Sequence, residues 1–220
     1  YSKGDGVPKD KRRAAQLYEK SANQGNAKAQ SNLALMYSKG DGIEQNYPKA
    51  VELYENAAAQ NDSDAQFNLG FMYDQGEYLP INKVKAFELY KQSAENGNAK
   101  AQFNLGLMYH KGEEGVLEQD IKKAVELYEK AASKGIIQAQ FNLGILYSNG
   151  CKDIPQDKEK AFILFQMAAK QGDADAQLNL GSMYAKGDGV QQDKKKAFEL
   201  YEKAAKQNNP KAQFNLGVMY

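Results

Sequence analysis

The sequence predicts an all-α solenoid of about six helix-turn-helix repeats, and three regularities predict it. Tyrosines recur at Tyr1, Tyr37, Tyr73, Tyr109, Tyr147, Tyr184 and Tyr220, at intervals of 36, 36, 36, 38, 37 and 36 residues. An Ala-Gln pair recurs at Ala29, Ala65, Ala101, Ala139, Ala176 and Ala212. Leucine recurs at Leu17, Leu53, Leu89, Leu127, Leu164 and Leu200. One globular core has no reason to space residues this way, whereas stacked identical units do.

Each unit reads as two helices with punctuation. In the first, Ala65, Leu69, Gly70, Met72 and Tyr73 lie three and four residues apart and so share one face. In the second, Ala86, Leu89, Tyr90 and Ala94 do the same. The second helix is preceded by Asp10, Asn46, Asn82, Asp120, Asp157 or Asp193, whose side-chain oxygens suit an N-cap. It is followed by Gly25, Asn61, Gly97, Gly135, Gly172 or Asn208, residues that tolerate a left-handed C′ position. The first helix starts after Asn26, Asp62, Asn98, Asp173 or Asn209, with Pro210 at N1 in the last case. Ile136 offers no polar cap. The first helix stops before Gly40, Gly76, Gly112, Gly150 or Gly187. The loop from that glycine to the next cap has five residues in most copies, seven after Gly112 and six after Gly150, so insertions are confined to one connection.

These boundaries give a single array over 1–220: a partial unit 1–28, full units 29–64, 65–100, 101–138, 139–175 and 176–211, and a partial unit 212–220. The array is expected to be a segment of a longer chain, with apolar surface at both ends and a capacity for end-to-end association.

Composition removes several functions. Lys+Arg is 29 and Asp+Glu 28, a balance with no long-range field for nucleic acid. No apolar run reaches the length of a membrane span. Cys151 and His110 are the single cysteine and the single histidine, too few for a structural zinc site. His110 follows Tyr109 at a position held elsewhere by Ser38, Asp74, Ser148 and Ala185, and is expected to be an exposed surface residue rather than a catalytic one. Gly4-Asp5-Gly6, Gly40-Asp41-Gly42 and Gly187-Asp188-Gly189 lack the acidic ladder of a calcium loop and the Lys-Ser/Thr of a phosphate loop, and read as turns. The basic stretches at Lys9–Arg13 and Lys194–Lys196 lie among acids and read as solvated faces. No cofactor and no catalytic group is expected.

The pattern Ala…Leu-Gly-x-x-Tyr-x-x-Gly, Asp-x-x-Lys-Ala, Tyr-x-Lys-Ala-Ala runs almost unbroken from Ala176 to Tyr184 and from Lys196 to Ala205. It resembles the SEL-1-like repeat family, a relative of the tetratricopeptide repeat, over the whole chain. Ala34 departs from the usual Gly and Phe165 from the usual Tyr. The resemblance implies a right-handed α-α superhelix whose first helices line a concave surface, acting as a non-enzymatic scaffold or adaptor for other proteins or peptides. It leaves two further readings: a regulatory or targeting arm of a larger enzyme or signalling protein, and β-lactam binding or hydrolysis. The last rests on cysteine-rich family members whose paired cysteines are missing here.

One ladder stands out on the first helices. Asn32, Asn68, Asn104, Asn142, Asn179 and Asn215 fill one position in every copy. Asparagine is a mediocre helix former, so propensity does not explain it. Its amide both donates and accepts, which suits the main chain of an extended partner. Beside it, Phe67, Phe103 and Phe141, and four residues on Phe71, Leu107 and Ile145, would supply side-chain pockets. The other reading is that each Asn bonds a neighbouring element and sets stacking. Lys28, Asp64, Lys100, Gln138, Asp175 and Lys211 alternate in sign along the same helices and are expected to set partner register.

Overall fold

Helices account for nearly all of the regular structure among the described residues, and most of their ends are capped locally. The structure, a computed structural model, describes residues 10–220. The partial unit's Tyr1, the turn Gly4-Asp5-Gly6 and Lys9 lie outside the described residues. Twelve helices follow one another among the described residues: α1 Lys11–Ala22, α2 Ala27–Lys39, α3 Tyr47–Ala59, α4 Ser63–Gln75, α5 Lys83–Glu95, α6 Ala99–Lys111, α7 Ile121–Ser133, α8 Ile137–Asn149, α9 Lys158–Lys170, α10 Ala174–Lys186, α11 Lys194–Lys206 and α12 Pro210–Met219. Even-numbered helices are the first helices of the repeat, odd-numbered ones the second. They form two compact units, one running through Leu105 with Glu113–Leu117, the other comprising Gly106–Gly112 and Glu118–Tyr220.

The caps are where the sequence places them. Asn46, Asn82, Asp120, Asp157 and Asp193 each accept the amide three residues on, a contact worth about 1 kcal/mol. Ile136 makes no such bond. Gly25, Asn61, Gly97, Gly135, Gly172 and Asn208 all take positive φ, with Asn61 at 64° and Asn208 at 63°. Gly40, Gly76 and Gly187 end their helices in the left-handed region. Gly150 differs: its φ is positive but its ψ is 167°, an extended exit into the six-residue loop.

Each inter-helix loop is closed by one bond irrespective of its length. The cap amide donates to the carbonyl of the first-helix tyrosine: Asn46 to Tyr37, Asn82 to Tyr73, Asp120 to Tyr109, Asp157 to Tyr147 and Asp193 to Tyr184, at 2.8–2.9 Å. The lysine three residues after the cap then lies over that tyrosine ring, as Lys49, Lys85, Lys123, Lys160 and Lys196, 4.9–5.3 Å from the centroid. The extra residues after Gly112 curl into a small antiparallel bridge, Glu113 to Leu117.

The core is small residues around one large ring per repeat. Tyr54, Tyr90, Tyr128, Phe165 and Tyr201 are 0–4% exposed. First-helix glycines make room for them: a Cβ on Gly106 would meet Tyr128 at 2.8 Å, and one on Gly181 would meet Tyr201 at 2.8 Å. Ala34, the departure from glycine, is fully buried in the cluster that holds Tyr54.

The buried glutamine of Ala-Gln is a clasp. Gln30, Gln66, Gln140 and Gln177 donate to the carbonyls of Ala22, Ala58, Ala132 and Ala169 at the end of the preceding second helix. Their Oε1 atoms accept from Gln60, Asn96, Gln171 and Gln207 at the end of the following one. Gln102 makes the same carbonyl contact to Ala94. Helix-end carbonyls that have no intrahelical partner are thereby satisfied inside the stack.

The Gly-Asp-Gly turns that follow α2 and α10 dock on the starts of α1 and α9. Asp41 pairs with Lys11, and Asp188 pairs with Lys158 at 2.9 Å. Gly42 and Gly189 press so closely on Lys11 and Lys158 that a Cβ would approach to 2.5 and 2.7 Å. In the copy that follows the first of them, Tyr78 takes this positive-φ position at 66°. Its ring stacks on Tyr47 with centroids 5.0 Å apart, replacing the Lys–Asp contact.

Candidate functional site

The first-helix Asn ladder is half-buried in all six copies. Asn104, Asn142 and Asn215 hydrogen-bond the hydroxyls of Tyr90, Tyr128 and Tyr201 on the second helix before them. Asn179 instead donates to the carbonyl of Asp175 one turn back, at 2.7 Å. Burial pushes the Tyr54 and Tyr128 hydroxyls up to about 12. It pushes Tyr90 up as well, with the Asp74 carboxylate adding to the effect.

The position after the first-helix tyrosine faces the same hydroxyl. Tyr90 Oη donates to Asp74 Oδ2 at 3.3 Å, and His110 Nδ1 lies 3.2 Å from Tyr128 Oη. His110 is therefore half-buried rather than exposed, because its helix turn carries it onto the second helix. Burial, then the neighbouring Lys111, lowers its pKa from the ordinary value.

In the first unit, the outer positions are filled by the protein's own rings and charges. Phe67 packs 6.3 Å from Phe71 and 5.9 Å from Tyr90. Lys100 lies over the Phe67 ring at 5.9 Å. Lys28 pairs with Asp64, and Asn98 donates to the other Asp64 oxygen at 2.9 Å. Lys28 and Asp64, two of the residues that alternate in sign along the first helices, pair with each other across adjacent repeats. Asn32 and Asn68 sit half-buried on α2 and α4. Phe103 lies half-buried on α6 in this unit, and Leu107, on the same helix, is half-buried in the second.

In the second unit, the same register leaves a groove of about 730 Å³ along α8, α10 and α12. Four predicted residues meet in it: Phe141 and Ile145 from α8, Asn179 from α10 and Asn215 from α12. Phe141 is anchored 5.9 Å from the buried Phe165. The groove also contains Leu178 and Ser182, where the first unit has Phe67 and Phe71, together with the exposed Phe214. Asp175 and Lys211 stand on its rim, and Asp175 accepts from Asn209 at 2.8 Å. Leu178 and Ser182 stand at the two pocket positions beside the Asn ladder, and Lys211 belongs to the row expected to set partner register. Leu178 and Ser182 break the Phe/Leu pattern of the neighbouring copies.

Among the described residues, no cluster of His, Cys, Asp and Glu is arranged to hold a metal ion. No helix among them is long and apolar enough to cross a membrane.

A tandem array of capped helix pairs, clasped by buried glutamines and carrying its variable residues on the first helices, defines an all-α repeat protein. The Sel1 repeat model matches it seven times, over residues 1–26, 27–62, 63–98, 99–136, 137–173, 174–209 and 210–220. The chain belongs to the Sel1 repeat family. Among solved structures it is similar to c5321, a protective antigen of uropathogenic Escherichia coli. The two are 38% identical with a TM-score of 0.88, over 100% of this chain and 46% of that one. It is also similar to a Sel1 repeat protein from Oxalobacter formigenes, 36% identical with a TM-score of 0.83, over 94% of this chain and 84% of that one. The chain thus spans about half the length of c5321. A comparison with curated proteins returns no match. Sel1 repeat proteins generally mediate protein–protein interactions and are generally non-catalytic scaffolds.

Proposed function

We propose that this array is a non-enzymatic adaptor that holds an extended segment of a partner protein along its first helices. The groove of α8, α10 and α12 carries this reading, because it brings Asn179 and Asn215 beside Phe141, Ile145 and Phe214. The amides pair with the partner's main chain and the rings receive its side chains. In the copies where the Asn also bonds a buried tyrosine hydroxyl, the amide serves stacking and recognition together, since it carries two N–H donors and one carbonyl.

The test is selection of short peptides from a displayed random library on the whole chain. Phe214 is 71% exposed, so Phe214→Ala leaves the fold intact. Combined with Asn179→Ala it is expected to weaken the selected peptides about tenfold or more, with melting little changed. Peptides held equally by the double variant would remove the groove from the reading. For Asn104→Ala and Asn142→Ala, a large loss of melting with unchanged peptide affinity assigns those two positions to stacking alone.

A further inference from the structure

The outer face of α9 departs from that of the other second helices. Glu159, Ile163, Met167 and Lys170 lie three or four residues apart and form one stripe on it. At the two middle positions the other second helices carry polar pairs: Gln16 and Lys20, Glu52 and Asn56, Glu88 and Gln92, Glu126 and Lys130, Glu199 and Lys203. Among the second helices only α9 has an acid in its first turn, Glu159. Ile163 is 54% exposed and Met167 39%. With Leu143, Tyr147 and Leu164 they wall an open apolar pocket of about 270 Å³ between α7 and α9. The polar groups at its edge are engaged within the chain. Glu129 accepts from the Tyr147 hydroxyl at 3.0 Å, and Lys160 lies over the Tyr147 ring and 3.5 Å from Asp157. Helices α8 and α10 both pack on α9, so this face lies within the stack and not at an end of it.

We infer that this face is an interface with a second copy of the chain, in which α9 packs antiparallel on its two-fold mate. The order along the stripe carries the inference: acid, apolar, apolar, base. Turned end for end, that order sets Ile163 against the partner's Met167 and Glu159 against the partner's Lys170, each twice because a two-fold contact repeats itself. A parallel pair would set Glu159 against the partner's Glu159 and Lys170 against the partner's Lys170, so the charges select the antiparallel arrangement. On the side where the pocket opens, the same turn brings Glu126 of α7 level with the partner's Lys130. The two pockets then face each other, and Ile163, Leu164 and Met167 of both chains close into one apolar core with a charged rim. The cost lies on α11, where Lys195 comes level with the partner's Lys206. Lys206 is paired with its own Glu202 at 3.4 Å, and salt screens the remainder. This interface uses second helices and is independent of the first-helix groove.

The experiment is sedimentation equilibrium of the whole chain in reducing buffer, from about 1 to about 300 µM. The expected result is a monomer–dimer equilibrium, with the mean mass rising from that of one chain towards that of two. Ile163→Glu with Met167→Lys installs the pair found on α7 and α11 and is expected to hold the chain at the mass of one, with melting little changed. Glu159→Lys alone and Lys170→Glu alone are each expected to weaken the dimer about fivefold or more, because each change is felt twice. The two together exchange the charges and are expected to restore it. End-to-end association would instead continue past two chains and survive all four variants. That outcome overturns the inference, as does a single-chain mass over the whole range, or a double charge variant that associates no better than the single ones.

Discussion

The α4 copy in the first unit and the α10 copy in the second share a backbone and differ in their outer side chains. Both helices have 13 residues, an aspartate cap and a left-handed glycine stop. Both clasp neighbouring helix ends through a buried glutamine. Yet one face is closed by Phe67, Phe71 and Lys100, and the other lies open around Leu178, Ser182 and Lys211. The difference separates what builds the repeat from what is free to vary. Core ring, glycine, clasp and caps hold the unit together. Two outer positions and one rim charge change around them, although Phe67 packs on Tyr90 and Ser182 bonds the Tyr201 hydroxyl.

If that separation is right, scaffold changes cost the same in either unit. The largest effect belongs to the buried ring. Tyr90→Ala and Tyr201→Ala are each expected to cost about 3–5 kcal/mol in urea unfolding, since both rings are at most 4% exposed. A loss confined to one of them would break the equivalence. Next comes the clasp: Gln66→Ala and Gln177→Ala remove a buried amide that bonds two helix ends in both units and are expected to cost about 1–3 kcal/mol each.

The alkaline limb of stability follows. Burial raises the Tyr54 and Tyr128 hydroxyls from 10.0 to about 12. Their stabilisation is whole below pH 10 and is lost as pH climbs through the folded-state values. Melting temperature is therefore expected to fall between about pH 10 and 12, and Tyr54→Phe with Tyr128→Phe to flatten that fall. An unchanged slope in the double variant would assign it to other groups. A smaller effect, about 1 kcal/mol, is expected from Asn82→Ala at a cap, read by the same denaturation. Smallest of all is the exposed Lys28–Asp64 pair. Lys28→Ala is expected to change stability by about 0–1 kcal/mol, and less as salt is added.

Most of the fold was legible because each local signal recurs in register. Asn61 and Asn208 stand where glycine stands in the other copies, and their positive φ follows from that substitution. Ile136 lacks a capping oxygen, and its helix start lacks the bond. The clasp was not legible in the same way. Ala-Gln served to align the copies, but the glutamine's partners lie about 30 residues downstream, a pairing that only the stacked helices bring about. His110 was misjudged for a related reason. Variability at its position resembled surface drift, whereas Ser38, Asp74 and His110 are different answers to one buried hydroxyl. The Asn ladder was visible from its exception to propensity. Its bonds to the Tyr90 and Tyr128 hydroxyls come from the stacking of neighbouring helices, which no spacing encodes. The charges were visible as a row, but which of them cancel depended on whether a ring or a carboxylate stood across the stack.

The bond from each cap amide to the tyrosine carbonyl has a consequence for how such a chain diversifies. Because the two loop ends are tied to each other rather than spaced by the residues between them, five, six or seven residues close the same gap. Lengthening a flexible loop costs only about 0.6 kcal/mol per doubling. Each repeat thus carries an insertion port beside its helix pair. New recognition elements could be acquired there in evolution, or grafted there by design, with the register of the whole array undisturbed.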